Sequence, residues 1–264
     1  MSNIRRIFES VVSVDAWRTT FEAESGLARI HVDVSFLRGK LGDDPDSPAR
    51  FELALSRAEV VFVIPANEPL KVVQSTVKRE RPLVVTSASS REVETSGKIA
   101  AAANFNAKSG ASASGEVSAA KAYSAKESVT ASSQGGAITW AQSKRSDGQY
   151  CWELAPRTAK HLLGKVWDAV SEPLLSVKFA TESRMDPVVR IEIRCRREDL
   201  LISNVQIKNT SGFERFSLGS TKNKMAAAEA FIINALSSRN LDVKNFDDPF
   251  GEIVLADMLV DTGE

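Results

Sequence analysis

The sequence predicts a mainly β chain of α+β character. It reads as an antiparallel β-sandwich-like N-terminal part, a long Ala/Ser-rich central β-hairpin or linker, and an α+β C-terminal part with one clear amphipathic helix. Three observations predict this. Runs of β-branched and aromatic residues recur through the first 90 positions between turn-rich breaks such as GDDPDSP at 42–48. Hydrophobicity alternates with a period of two from residue 99 to residue 132, and a single helical stripe stands out at 222–237.

In chain order, strands are expected over 10–22, 28–36, 51–65, 70–77 and 82–87. In IHVDVSF, Ile30, Val32, Val34 and Phe36 fall on one face and His31, Asp33 and Ser35 on the other. That alternation marks a half-buried strand and places His31 on the solvent side. AEVVFVIP at 58–65 is apolar on both faces and suits a central strand, ending where Pro65 lacks the N–H that a ladder needs.

The segment 96–134 is built almost wholly from small residues, yet its odd positions are the apolar ones. They read Ile99, Ala101, Ala103, Phe105 and Ala107, then Ala111, Ala113, Val117 and Ala119, then Tyr123, Ala125, Val129 and Ala131. Even positions carry Asn104, Asn106, Lys108, Ser112, Glu116, Ser124, Lys126 and Thr130. A helix would scatter Val117, Tyr123 and Val129 around its circumference, so extended strands with a turn between 109 and 115 are expected. A flexible Ala/Ser/Gly linker and an Ala-rich helix are the competing readings.

Beyond Trp140 a strand is expected at 149–154, then a helix over 156–170. Leu162, Leu163, Val166, Trp167 and Val170 recur there at helical spacing; Pro156 suits a first turn, and Gly164 weakens the helix. Strands follow at 174–180, 188–196, 200–208 and 213–218. The helix at 222–237 aligns Met225, Ala228, Phe231, Ile232, Ala235 and Leu236, with Ser220 or Thr221 to cap it. The last segment, 247–264, reads as a short strand or a turn of helix. Domain boundaries are accordingly expected at 1–95, 96–134 and 135–264.

Composition sets bounds on function. The 34 Lys plus Arg balance the 34 Asp plus Glu, so no global field draws the chain to nucleic acid or an anionic surface. Cys151 and Cys195 make no Cys-x-x-Cys pair, and MSNIRRIFES has no apolar run behind its arginines, which makes a reduced, cytoplasmic chain the expectation.

No catalytic, cofactor-binding or metal-binding residue is predicted, and the chain leans away from being an enzyme. His31 and His161 lack ligand spacing, and the second is expected on a helix surface. The clusters Asp43, Asp44 and Asp46, and Asp247, Asp248 and Glu252, place Asp and Pro as turns do. No G-x-S-x-G elbow occurs, GSTKNK at 219–224 departs from the phosphate-loop pattern, and Cys151 reads as a buried structural thiol.

The leading expectation is a protein partner or a homo-oligomer, joined through extended strands of the central tract with Phe105, Val117, Tyr123 and Val129 as interaction residues. A second is insertion of the 99–131 hairpin into a membrane as a pore. A third comes from Lys222 and Lys224, which oppose the dipole at a helix start and so suit an anionic contact. An Ala-rich closing helix entered by lysines is similar to the end of double-stranded-RNA-binding domains, and that resemblance implies nucleic-acid binding by the C-terminal part.

Overall fold

The computed structural model describes residues 4–6, 8–45, 47–79, 87–97, 121–131, 137–181, 187–208, 221–241 and 246–262. It is mostly strand, in several antiparallel sheets, with one α-helix among the described residues. The largest sheet runs β1 (Ile4–Arg6), β16 (Glu252–Leu259), β14 (Arg190–Arg196), β6 (Ala58–Val63), β11 (Tyr150–Pro156), β10 (Ile138–Lys144). A second runs β17 (Asp261–Thr262), β2 (Val12–Arg18), β3 (Leu27–Phe36), β13 (Leu175–Phe179), β7 (Leu70–Val72), with β12 (Gly164–Lys165) also on β3. A third holds β15 (Leu200–Ile207), β5 (Ala49–Leu55) and β4 (Gly39–Leu41), and a fourth pairs β8 (Ser87–Gly97) with β9 (Lys121–Ala131). Only β17 with β2 is parallel among these pairings.

The alternation in β3 is real. Ile30, Val32, Val34 and Phe36 are fully buried in a core that the first three sheets share. β6 lies between β11 and β14, and its two faces do different things. Val60 and Phe62 enter the main core, while Val61 and Val63 join Cys151 in a small cluster on the other side. Each such fully buried side chain contributes about 1.5–3 kcal/mol relative to leaving it in water. The helix α1 (Thr221–Ser238) buries Ala228, Ile232 and Leu236 and sets Phe231 edge-on to Phe51 of β5 at 5.5 Å.

Several expectations are corrected. The run 51–65 is two strands, because the chain leaves the third sheet for the first at Ser56, whose N–H and hydroxyl donate to the Asp199 carbonyl and carboxylate at 2.9 and 2.6 Å. The helix expected over 156–170 does not form. Gly164 stands at φ +89°, and Leu162 is buried whereas Leu163 and Val170 are 47% and 81% exposed, so the apolar residues do not share a face. Gly164 and Lys165 instead pair with Phe36 and Ser35, and His161 is half-buried in a loop.

His31 is buried at 8% exposure rather than solvent-facing. Its ring stacks on Trp17 at 5.3 Å, and its Nδ1 lies 2.7 Å from the Ala169 carbonyl. The closing segment is a full strand, β16, held between β1 and β14. Of the strand expected at 82–87, residues 82–86 lie outside the described residues, as does the whole of that expected at 213–218.

β6 pairs with both β11 and β14, so strands from before and after the central tract build one sheet. Residues 1–82 and 135–264 form one compact unit and residues 83–134 another. The second unit begins earlier than the composition change because β8 is rich in charge and carries no apolar alternation.

Phe62→Ala should lower the stability of the larger unit by about 3–5 kcal/mol in chemical denaturation. Val170→Ala should stay within about 0.5 kcal/mol of the parent. Equal effects would contradict the placement of β6 at the centre of the core.

Candidate assembly site in the central strand pair

β8 and β9 pair without a bulge over eleven residues, from Ser87 opposite Ala131 to Gly97 opposite Lys121. Every odd residue of one strand faces an odd residue of the other. Arg91 stands opposite Glu127, and Glu92 stands opposite Lys126. Neighbouring positions of a ladder alternate in face, and the two oppositely charged pairs stand at positions of opposite parity. No other strand pairs with β8 or β9 among the described residues.

Two of the predicted interaction residues lie on this ladder, Tyr123 opposite Thr95 and Val129 opposite Ser89. Phe105 and Val117 lie outside the described residues, as does the turn expected between 109 and 115. Lys222 and Lys224 belong to the larger unit, in the first turn of α1, the first exposed and the second half-buried.

The chain enters the 83–134 unit from a short stretch anchored to the larger body. Val73 and Lys78 donate their N–H groups to the Ser176 and Leu174 carbonyls at 2.9 and 2.8 Å, and the Trp152 indole donates to the Lys78 carbonyl at 2.8 Å. The Lys78 ammonium lies 5.7 Å from the ring centre of Trp140 on β10 and 5.1 Å from that of Trp167. Those two rings meet edge-on at 5.8 Å, and Glu172 pairs with the ammonium at 2.9 Å.

The loop that supplies Trp167 and Glu172 is itself held to β3. Trp167 donates its indole N–H to the Val32 carbonyl at 2.5 Å, beside the His31 contact with Ala169. Asp168 accepts from the Ser171 hydroxyl and from the N–H groups of Ser171 and Val170, which hold its carboxyl below the usual carboxylate range. Sequence spacing does not reveal this group, because Lys78, Trp140, Trp167 and Glu172 come from separate parts of the chain.

A cavity of about 330 Å³ opens elsewhere, beside Trp140, Glu59, Glu153, Arg196, Asp199 and Cys195. Its buried polar groups already have partners, since Asp199 accepts from Ser56 and from the Arg196 N–H. Burial pushes the Cys195 thiol up, which disfavours the thiolate. Among the described residues no three His, Cys, Asp or Glu side chains are grouped to hold a metal ion. Among them, too, no helix is long and apolar enough to cross a membrane.

No family model and no curated protein matches this chain. Among solved structures it is similar to the NetB toxin of Clostridium perfringens in its membrane-inserted form. Identity is 9%, over 69% of this chain and 84% of that one, with a TM-score of 0.36. At that level the likeness carries no argument about function.

Burial also raises the Cys151 thiol, against the opposing effect of the Ser143 hydroxyl 2.9 Å away. Both cysteines should therefore resist Ellman's reagent at neutral pH in the folded chain and both should react in guanidinium. A thiol that reacts at the unfolded rate under native conditions would contradict the structure.

Proposed function

We propose that this is a non-catalytic assembly protein whose central strand pair adds edge to edge to copies of itself. One observation carries the reading: β8 and β9 make an eleven-pair ladder with no third strand among the described residues. A two-stranded ladder is marginal in water, and each open edge presents a row of N–H and C=O groups ready for another strand. Edge addition satisfies both needs, and copies of the same ladder are the partners whose length and register match.

A second reading, that the assembled strands enter a membrane, is favoured by the parity of the register. In sequence the apolar residues of the tract are odd on both sides of its middle, Ile99 to Ala107 and Ala111 to Ala119. An odd-to-odd register is the one that assigns both sets to a single face, whereas a shift by one residue would divide them between two. Each strand of eleven residues also meets the roughly 9–11 that a tilted membrane strand needs. Within the ladder the odd positions carry Tyr123, Ala125, Val129 and Ala131 together with the Arg91–Glu127 pair and Lys121.

Size-exclusion chromatography with light scattering, run with and without lipid vesicles, tests the first reading. The expected result is a discrete oligomer that protects 87–131 from protease; a clean monomer cleaved within that span under every condition would remove it. Dye release from neutral or anionic vesicles tests the second, and no release at any protein concentration would end it.

A further inference from the structure

The entering stretch and β10 are held differently. The first is bound to the body by the backbone N–H groups of Val73 and Lys78 and by the Thr76 hydroxyl, which accepts the Ser176 N–H at 2.8 Å. Among the described residues β10 is bonded to one strand, β11. The Lys78 ammonium over Trp140 ties β10 to the entering stretch.

Lysine is an unexpected choice for that place if stability were the sole requirement. Its side chain is 10% exposed, so the charge is taken largely out of water, against the attraction of the Glu172 carboxylate and two ring faces. An apolar residue of similar length would fill the same space without the desolvation cost. Buried ionic contacts of this kind serve better as specific, breakable ties than as general reinforcement. Lys78 stands five residues before residue 83, and Trp140 six after residue 134, so the tie spans the two chain ends of the smaller unit.

We propose that Lys78, held between Trp140 and Trp167 and paired with Glu172, is a latch that joins the two chain ends of the central strand pair and restrains that pair from assembly. The restraining role rests on the assembly reading above; the tie itself does not. Breaking the latch leaves the entering stretch on its own bonds and frees β10 to fray from β11. In chain order β10 is the strand that follows β9.

Hydrogen exchange on the full-length chain tests the tie, and light scattering tests the restraint. Lys78→Met keeps the length and apolar stem and removes the charge; Lys78→Arg keeps the charge and should restore the parent behaviour. Lys78→Met is expected to speed exchange about tenfold in 138–144 and in 87–131, with 190–196 of the central sheet unchanged. Glu172→Gln should act in the same direction more weakly, and it serves if Lys78→Met fails to fold. Assembly should accelerate by a similar factor. Unchanged exchange in 138–144, or an equal rise in 190–196, would overturn the latch. Faster exchange with an unchanged assembly rate would overturn the restraint and leave the tie. A parent chain that never assembles would defeat the assembly reading, while the exchange pattern would still decide the tie.

Discussion

Burial of β6 on both faces and pairing along both edges is the constraint on which the rest of the structure depends. Its inner face supplies Val60 and Phe62 to the main core, and its outer face supplies Val61 and Val63 to a second cluster. Its edges are taken by β11 and β14, both of which follow the central tract in sequence. A strand from the first quarter of the chain thus becomes the seam between two strands from the second half. The chain cannot build this sheet unless it returns after residue 134 to the body it left before residue 83.

That return explains the character of the central tract. A segment whose two ends are both fixed to one body can depart and come back as a pair of antiparallel strands, and β8 with β9 does so. The pair has little of its own to stabilise it, since small side chains bury little apolar surface and two strands lack a third. Two positions of the ladder set opposite charges across from one another, Arg91 with Glu127 and Glu92 with Lys126. The Lys78 cluster sits where this excursion begins and ends, so a single ammonium couples the two chain ends.

The legible parts of the fold are those where a single neighbour covers a single face. β3 announced itself because Ile30, Val32, Val34 and Phe36 meet one continuous core. α1 did so because Ala228, Ile232 and Leu236 form one buried line. The segment 156–170 misled because Leu162, Val166 and Trp167 have helical spacing yet are buried as separate anchors of a loop, around a glycine in the left-handed region. His31 misled because what covers the back of β3 comes from Ala169, 138 residues away. Of the central tract, the period of two was legible, but the register was not, because pairing is a property of two segments and periodicity of one. The latch left no sequence signature at all, its four residues sharing neither a motif nor a spacing.

The central claim is the odd-to-odd register of β8 and β9, and cysteine trapping tests it most directly, since Cys151 and Cys195 are buried. Under mild oxidation Ser89→Cys with Val129→Cys should close a disulfide efficiently in the full chain, and Ser89→Cys with Thr130→Cys should not. Efficient closure of the second pair, or equal closure of both, would contradict the register.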